Sequence, residues 1–271
     1  MRGEKISIFT PHPPPIWRWA SPSPFGRGLG PPNHSIPPRA TIPVDMSSQL
    51  YIGIVEFIVL LLSLSVHESA HAWTANKLGD PTAKFLGRVS LNPIVHIDPI
   101  GTLLLPIIGI VYGGVLFGWA KPVPVSVNRL GDPKRDYMLV SAAGPISNFI
   151  LAGLSFVGLM ILKVSSPESA EVVRNIASGY LPSDGGIVVL LVMVAFYGIL
   201  INIVLGIFNL IPVPPLDGSG ILSGILPGPA QAFLHSIQSY GMMIVMVLVV
   251  LGIPSYFYTP VIYVLRSMLI A

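Results

Sequence analysis

The chain has 271 residues, of which 52% are hydrophobic and only 10% charged, with a mean hydropathy of +0.74. A soluble domain carries about 25% charged residues, so this composition excludes an ordinary soluble domain and predicts an all-α multi-pass membrane protein, a bundle of about four to six apolar segments of roughly 20 residues each. The net charge of +3 then reports loop orientation rather than nucleic-acid binding, and the absence of cysteine excludes disulfides, thiolate-ligated zinc and a cysteine nucleophile.

Residues 1–45 hold 11 of the 28 prolines, in PHPPP, SPSP, GPP and IPP. They read as a disordered or polyproline tail, and no apolar stretch there fits a secretory signal. Met46 is a candidate start, with 46–271 as the membrane domain. Leu50 to about Ala75 reads as the first helix, closed by Gly79, Asp80 and Pro81. A polar loop follows at 80–98. Residues 101–120 are apolar but carry five glycines and Pro106, and KPVPVSVNRLGDPKRD after them is charged and turn-rich. Helices are predicted over 138–162 and 187–210, with a polar loop at 163–186 between them. The second helix breaks at IPVPPLDGSG, because Pro212, Pro214 and Pro215 cannot continue it. Further apolar runs cover 231–252 and 256–271.

The chemistry sits in SVHESAH, residues 65–71. On a helix, His67 and His71 lie one turn apart on one face, so both imidazoles can reach one metal ion, and Glu68 is close enough to touch a bound water. Zinc takes two nitrogens and a carboxylate and leaves a fourth position for water. Glu56 is about 17 Å along the helix from His67, too far to be the third ligand. Asp217, in the proline-broken stretch NLIPVPPLDG, is the candidate. Asp-Gly alone signals only a turn; irregular backbone at membrane depth, however, is tolerated where it lines a polar cavity.

H-E-x-x-H at 67–71, A-G-P-x-x-N at 143–148 and N-L-I-P-x-x-P-L-D-G at 209–218 together resemble the site-2 protease family of intramembrane zinc metalloproteases. LGDPTA, GR-x-x-LNP-x-x-HIDP-x-GT and GWAKPVPV are similar to its minimal prokaryotic members, and the resemblance covers about residues 55–225. No segment fits a PDZ or CBS domain. The resemblance implies a single zinc ion per chain held by His67, His71 and Asp217, with Glu68 as the general base. It also implies that Asn148 lies near the active site, orienting substrate or binding the oxyanion; a buried helix–helix hydrogen bond is the other reading. It further implies membrane-embedded protein substrates in the lipid bilayer. His96 matches a family position and reads as a structural loop histidine. A non-proteolytic cation carrier using the same His/Asp set is the alternative function.

The motifs also constrain topology. His67 and Asp217 can meet only if 101–120 contributes no net crossing, so its glycines and proline are expected to form a re-entrant loop or a β-hairpin. Lys77, Lys84, Arg88, Lys121, Arg129, Lys134 and Arg135 then share one side, against Lys163 and Arg174 on the other. That asymmetry makes the basic side cytoplasmic. KPVPVSV, 121–127, alternates and carries prolines that an edge strand accepts, so it is expected to offer a substrate an edge for strand addition.

Overall fold

The computed structural model describes residues 46–112, 118–180 and 186–270. The Pro-rich tail and the expectation that the chain starts at Met46 lie outside the described residues.

Helix α1 (Met46–Lys77) is 32 residues long. At 1.5 Å per residue that is about 48 Å, more than the apolar thickness of a bilayer. Gly79, at φ +109°, ends it in the left-handed region that only glycine adopts freely. A short helix α2 (Thr82–Phe85) follows. The loop 86–98 then leads through a single wide turn at Pro99–Leu104 into the apolar α3 (Leu105–Tyr112). By Trp119 the chain is back where this excursion began. The Trp119 N–H donates to Gly101 O at 3.2 Å, Thr102 Oγ1 donates to Trp119 O at 2.8 Å, and the Lys121 N–H donates to His96 O at 2.8 Å. The glycine-rich segment therefore closes on itself and adds no net crossing.

The expected β-hairpin has no ladder, since no strand forms among the described residues. The reason is local. Pro122 and Pro124 lack an N–H, while the N–H groups of Val123 and Ser126 are taken by the carboxylates of Glu68 and Asp80 at 3.2 and 2.6 Å. With these two donors spent on side chains, 121–126 forms no strand.

Helix α4 (Pro133–Ser165) starts with proline at its first position, and the Asp132 side chain caps the Lys134 and Arg135 N–H groups at 3.2 Å. Helix α5 (Pro167–Ala177) falls in the stretch expected to be loop. Ser166 caps it through the Ser169 N–H at 3.0 Å, and Val173, Ile176 and Ala177 bury one face. Then come α6 (Ile187–Asn209), α7 (Asp217–Ile225), α8 (Gly228–Ile237), α9 (Gly241–Val250) and α10 (Ile253–Ile270). The apolar run expected over 231–252 is thus divided between α8 and α9.

Helices α1, α4 and α6 are long and apolar enough to span a membrane; α9 and α10, bent by 60° at their junction, make a fourth span if counted together. Helix α4 is central and packs on α1, α6 and α7. Val55 and Val59 early in α1 and Val189, Val192 and Met193 early in α6 share a core with Leu159 late in α4. At the other end, His71 of α1 meets Val140 of α4. So α4 runs antiparallel to both neighbours, and α1 and α6 end on the same side. Small residues allow the close approach that apolar helices need in lipid: a Cβ on Gly224 of α7 would sit 3.0 Å from Met138 Cγ of α4.

Asp80 fastens the end of α1 to the extended segment. It is buried, though only thinly covered. Its carboxylate accepts from Thr82 Oγ1 at 2.5 Å, the Thr82 N–H at 3.1 Å and the Ser126 N–H at 2.6 Å. Burial alone would raise its pKa; the hydrogen bonds from Thr82 and Ser126, with Arg129 nearby, outweigh that and hold the carboxyl below its usual value. A depressed folded pKa adds stability above the unfolded carboxylate value of about 4 that disappears as pH falls through the folded value. Asp80→Asn is expected to lower stability in detergent by about 1 kcal/mol at pH 7. In thermal unfolding the gap to wild type should close below about pH 4.

Candidate metal centre

Three helices build the site. His67 and His71 stand one turn apart on α1 with their Nε2 atoms 3.0 Å apart. Asp217, the first residue of α7, brings Oδ2 to 3.0 Å from His67 Nε2 and Oδ1 to 3.3 Å from His71 Nε2. One ligand atom from each of the three lies within 4.8 Å of the others, and both histidines are buried. The other nitrogen of each imidazole is engaged. His67 Nδ1 is 2.6 Å from Asn148 Oδ1, and His71 Nδ1 is 2.7 Å from Val140 O. An oxygen acceptor there keeps the proton on Nδ1 and leaves a lone pair on Nε2. Two lone pairs and a carboxylate then face one point, and Asp217 Oδ2 is buried with no hydrogen-bond donor. Such a donor set is matched by a cation.

The distances fit zinc. Two nitrogens bound tetrahedrally at 2.0–2.1 Å are about 3.3 Å apart, close to the 3.0 Å between the Nε2 atoms. Room for an ion depends on Gly144 of α4. A Cβ there would come within 2.6 Å of His67 Nε2 and closer still to His71 Nε2.

Residues 55–252 match the sequence profile of peptidase family M50. The chain belongs to this family, the site-2 proteases. It is 38% identical over 205 residues to "Putative zinc metalloprotease YwhC" of Bacillus subtilis, covering 75% of this chain and 83% of that protein. It is 31% identical over 202 residues to "Putative zinc metalloprotease Rip2" of Mycolicibacterium smegmatis, covering 74% and 69%. No solved structure matches the chain. M50 membership makes it a zinc metalloendopeptidase.

Glu68, Asn148 and His96, the other residues singled out in the sequence, surround the three in different ways. Glu68 is half-buried beside the histidines, its Oε2 accepting the Val123 N–H at 3.2 Å. Asn148 has no exposed surface; it faces His67 on one side and Asn202 on the other, its Nδ2 donating to Asn202 Oδ1 at 2.8 Å. The substrate-orienting role expected of it draws no support from that arrangement. His96 stands apart from the converging three and fastens its own loop, with Nε2 2.8 Å from Ser90 O. Ser69 also binds that loop, through Ser90 O, whereas Ser65 bonds back to Leu61 O at 2.7 Å. Two participants were not foreseen from the sequence. One is a backbone carbonyl, Val140 O, which no motif records. The other is Asn202, and a signal for it exists: it is an amide in the middle of an otherwise apolar stretch, GILINIVLG.

Gly144→Ala is expected to abolish stoichiometric zinc binding while leaving helicity intact. Metal analysis of the purified protein and far-UV circular dichroism check this.

Proposed function

We propose that the chain is an intramembrane endopeptidase that cuts single-pass membrane proteins in or near their spanning segments, with His67, His71 and Asp217 holding the zinc and Glu68 as the general base. The observation that carries the reading is the convergence of Asp217 on His67 and His71, which lie well inside a helix long and apolar enough to span a bilayer. His67 lies ten residues before Lys77, about 15 Å from the helix end. An idle cluster of ionisable groups at such depth is disfavoured, at roughly 2.5–3.5 kcal/mol for each charged group near the centre.

Zinc, when bound, supplies a Lewis acid for the scissile carbonyl and acidifies water. Glu68 takes the proton of the attacking water and returns it to the leaving amine. The imidazoles of His67 and His71 are oriented for their role by the acceptors on their Nδ1 atoms. Walls from α1, α4 and α7 exclude lipid and limit water.

Side choice follows the loops. Seven basic residues, from Lys77 to Arg135, lie in the loops and helix ends on the side of the α1 terminus that carries the site, against Lys163 and Arg174 on the other. The positive-inside rule makes the first side cytoplasmic, so the site opens toward the cytoplasmic half of the cell membrane. The glycine-rich excursion 101–119 enters and leaves from that same side as a re-entrant loop.

A peptide bond within a helix is shielded by its own hydrogen bonds, so cleavage needs an extended substrate. The segment 121–126, which is in no strand, runs beside Glu68, and strand addition on it would bring an unwound substrate to the base.

In liposomes with a helix-destabilised single-pass substrate, wild type is expected to cleave. Glu68→Gln should retain zinc and lose about 10²–10⁴-fold in rate, and chelator should stop cleavage. Equal cleavage by all three preparations would overturn the reading; a Glu68→Gln chain that transports cations without any wild-type cleavage would favour a carrier. In the Glu68→Gln trap, photocrosslinkers at 121–127 are expected to capture substrate. Crosslinks confined to other loops would remove strand addition.

A further inference from the structure

His67 is the end of a buried chain of amides whose direction can be read from one fixed point. The Gly198 carbonyl can only accept, and Asn202 Nδ2 lies 2.8 Å from it. That nitrogen is therefore the NH2 end of the amide; it also donates to Ser63 Oγ at 2.9 Å. Asn202 Oδ1 is then the end that faces Asn148, and it accepts from Asn148 Nδ2 at 2.8 Å. Asn148 in turn presents its oxygen to His67 Nδ1 at 2.6 Å, where only a donating N–H makes a hydrogen bond. Each member is buried: Asn148 at 0%, Asn202 at 3% and His67 at 4% exposure. Water has no ready access to repair a reversed amide, so the polarity passes along the chain without leakage.

We propose that Asn202 is a positioning residue that sets the tautomer of His67, holding its proton on Nδ1 so that the Nε2 lone pair is available to zinc; the proposal rests on the metal-site reading above. Asn148 alone cannot do this. An amide has similar shape in both orientations, and the reversed one would turn an NH2 toward His67 Nδ1. That ring would then carry its proton on Nε2, where Asp217 Oδ2, 3.0 Å away, would take it as a hydrogen bond. The site would be closed by a proton in place of the ion. Asn202, anchored on a carbonyl of its own helix, removes that choice. It also couples α6 to the histidine of α1 through α4.

The test measures zinc dissociation constants of the full chain in detergent, by competition with a chromophoric chelator. Asn202→Leu is expected to weaken zinc binding about 10–100-fold. In the Asn148→Asp background the same substitution should change affinity less than about threefold, because a carboxylate has only acceptors to offer and needs no partner to orient it. A purely structural role for Asn202 predicts equal losses in both backgrounds and would overturn the proposal. A second measurement needs no change at 202. In the zinc-free Asp217→Ala chain, which removes the competing acceptor, 15N spectra of labelled histidine should show His67 protonated on Nδ1 when neutral; protonation on Nε2 would overturn the proposal even if Asn202→Leu does not fold. A wild-type chain that binds no zinc would instead overturn the metal site itself, and the proposal with it.

Discussion

His67 and Asp217 are 150 residues apart in sequence, and their side chains approach to 3.0 Å. Most of the architecture can be derived from that one contact. A helix that reaches the site from one side and another that delivers Asp217 from the same side need one return helix between them, which is α4. Any extra crossing would leave the carboxylate on the wrong face of the bilayer. The glycine-rich segment after α2 therefore has to come back, and its ends are joined by hydrogen bonds of Trp119 with Gly101 and with Thr102, at 3.2 and 2.8 Å. Close approach of the helices is the second requirement. Gly144 leaves space beside both Nε2 atoms, and the small residues of α7 let it lie against the start of α4. The ammonium of Lys134 ties the far end of α7 with a 2.7 Å bond to Leu226 O.

An apolar layer punishes every polar atom left without a partner, and that pressure gives the site its order. His71 uses a carbonyl that α4 offers, and His67 uses an amide. The amide then needs its own partner, and Asn202 supplies it from α6. Each group added to satisfy one need creates another, until the chain ends on the Gly198 carbonyl and the Ser63 hydroxyl. The outcome is a site assembled across four helices, with ligand orientation controlled by residues that the metal would not touch. This is the usual division of labour between ligands and their outer partners, made stricter by the absence of solvent.

The elements visible in sequence were those carried by strong local signals. The spans over α1, α4 and α6 follow from apolar runs of sufficient length. The pairing of His67 with His71 follows from helical period, and the placement of Asp217 follows from prolines that no helix continues through. Helix α5 was hidden by its polarity, although Ser166 and Pro167 form a helix-start signal that could have been weighed. The edge-strand expectation came from alternation in KPVPVSV, which is a real property of the segment, but a ladder also needs free donors. Those of Val123 and Ser126 are used by Glu68 and Asp80, and the latter carboxylate lies more than forty residues upstream. Tertiary competition of this kind leaves no local trace. Val140 O is invisible for a related reason: a backbone acceptor is available at every position, and only packing decides which one is used.

The two carboxylates that bind 121–126 also explain why this segment can lie beside the metal centre without being part of a sheet. Glu68 is on α1 itself and Asp80 sits just past its end, so both anchors are rigidly related to His67 and His71. The segment is held by its own N–H groups at Val123 and Ser126, three residues apart. The prolines between and before them remove further donors. What remains for an added strand is mainly carbonyl oxygen, so the edge is polarised: it accepts and scarcely donates. An extended substrate could pair with such an edge through its own N–H groups, while a second copy of the same proline-bearing edge could not return the bonds. Under the proposed function, a segment arranged in this way would take a guest strand where Glu68 is already held, without pairing with a copy of itself.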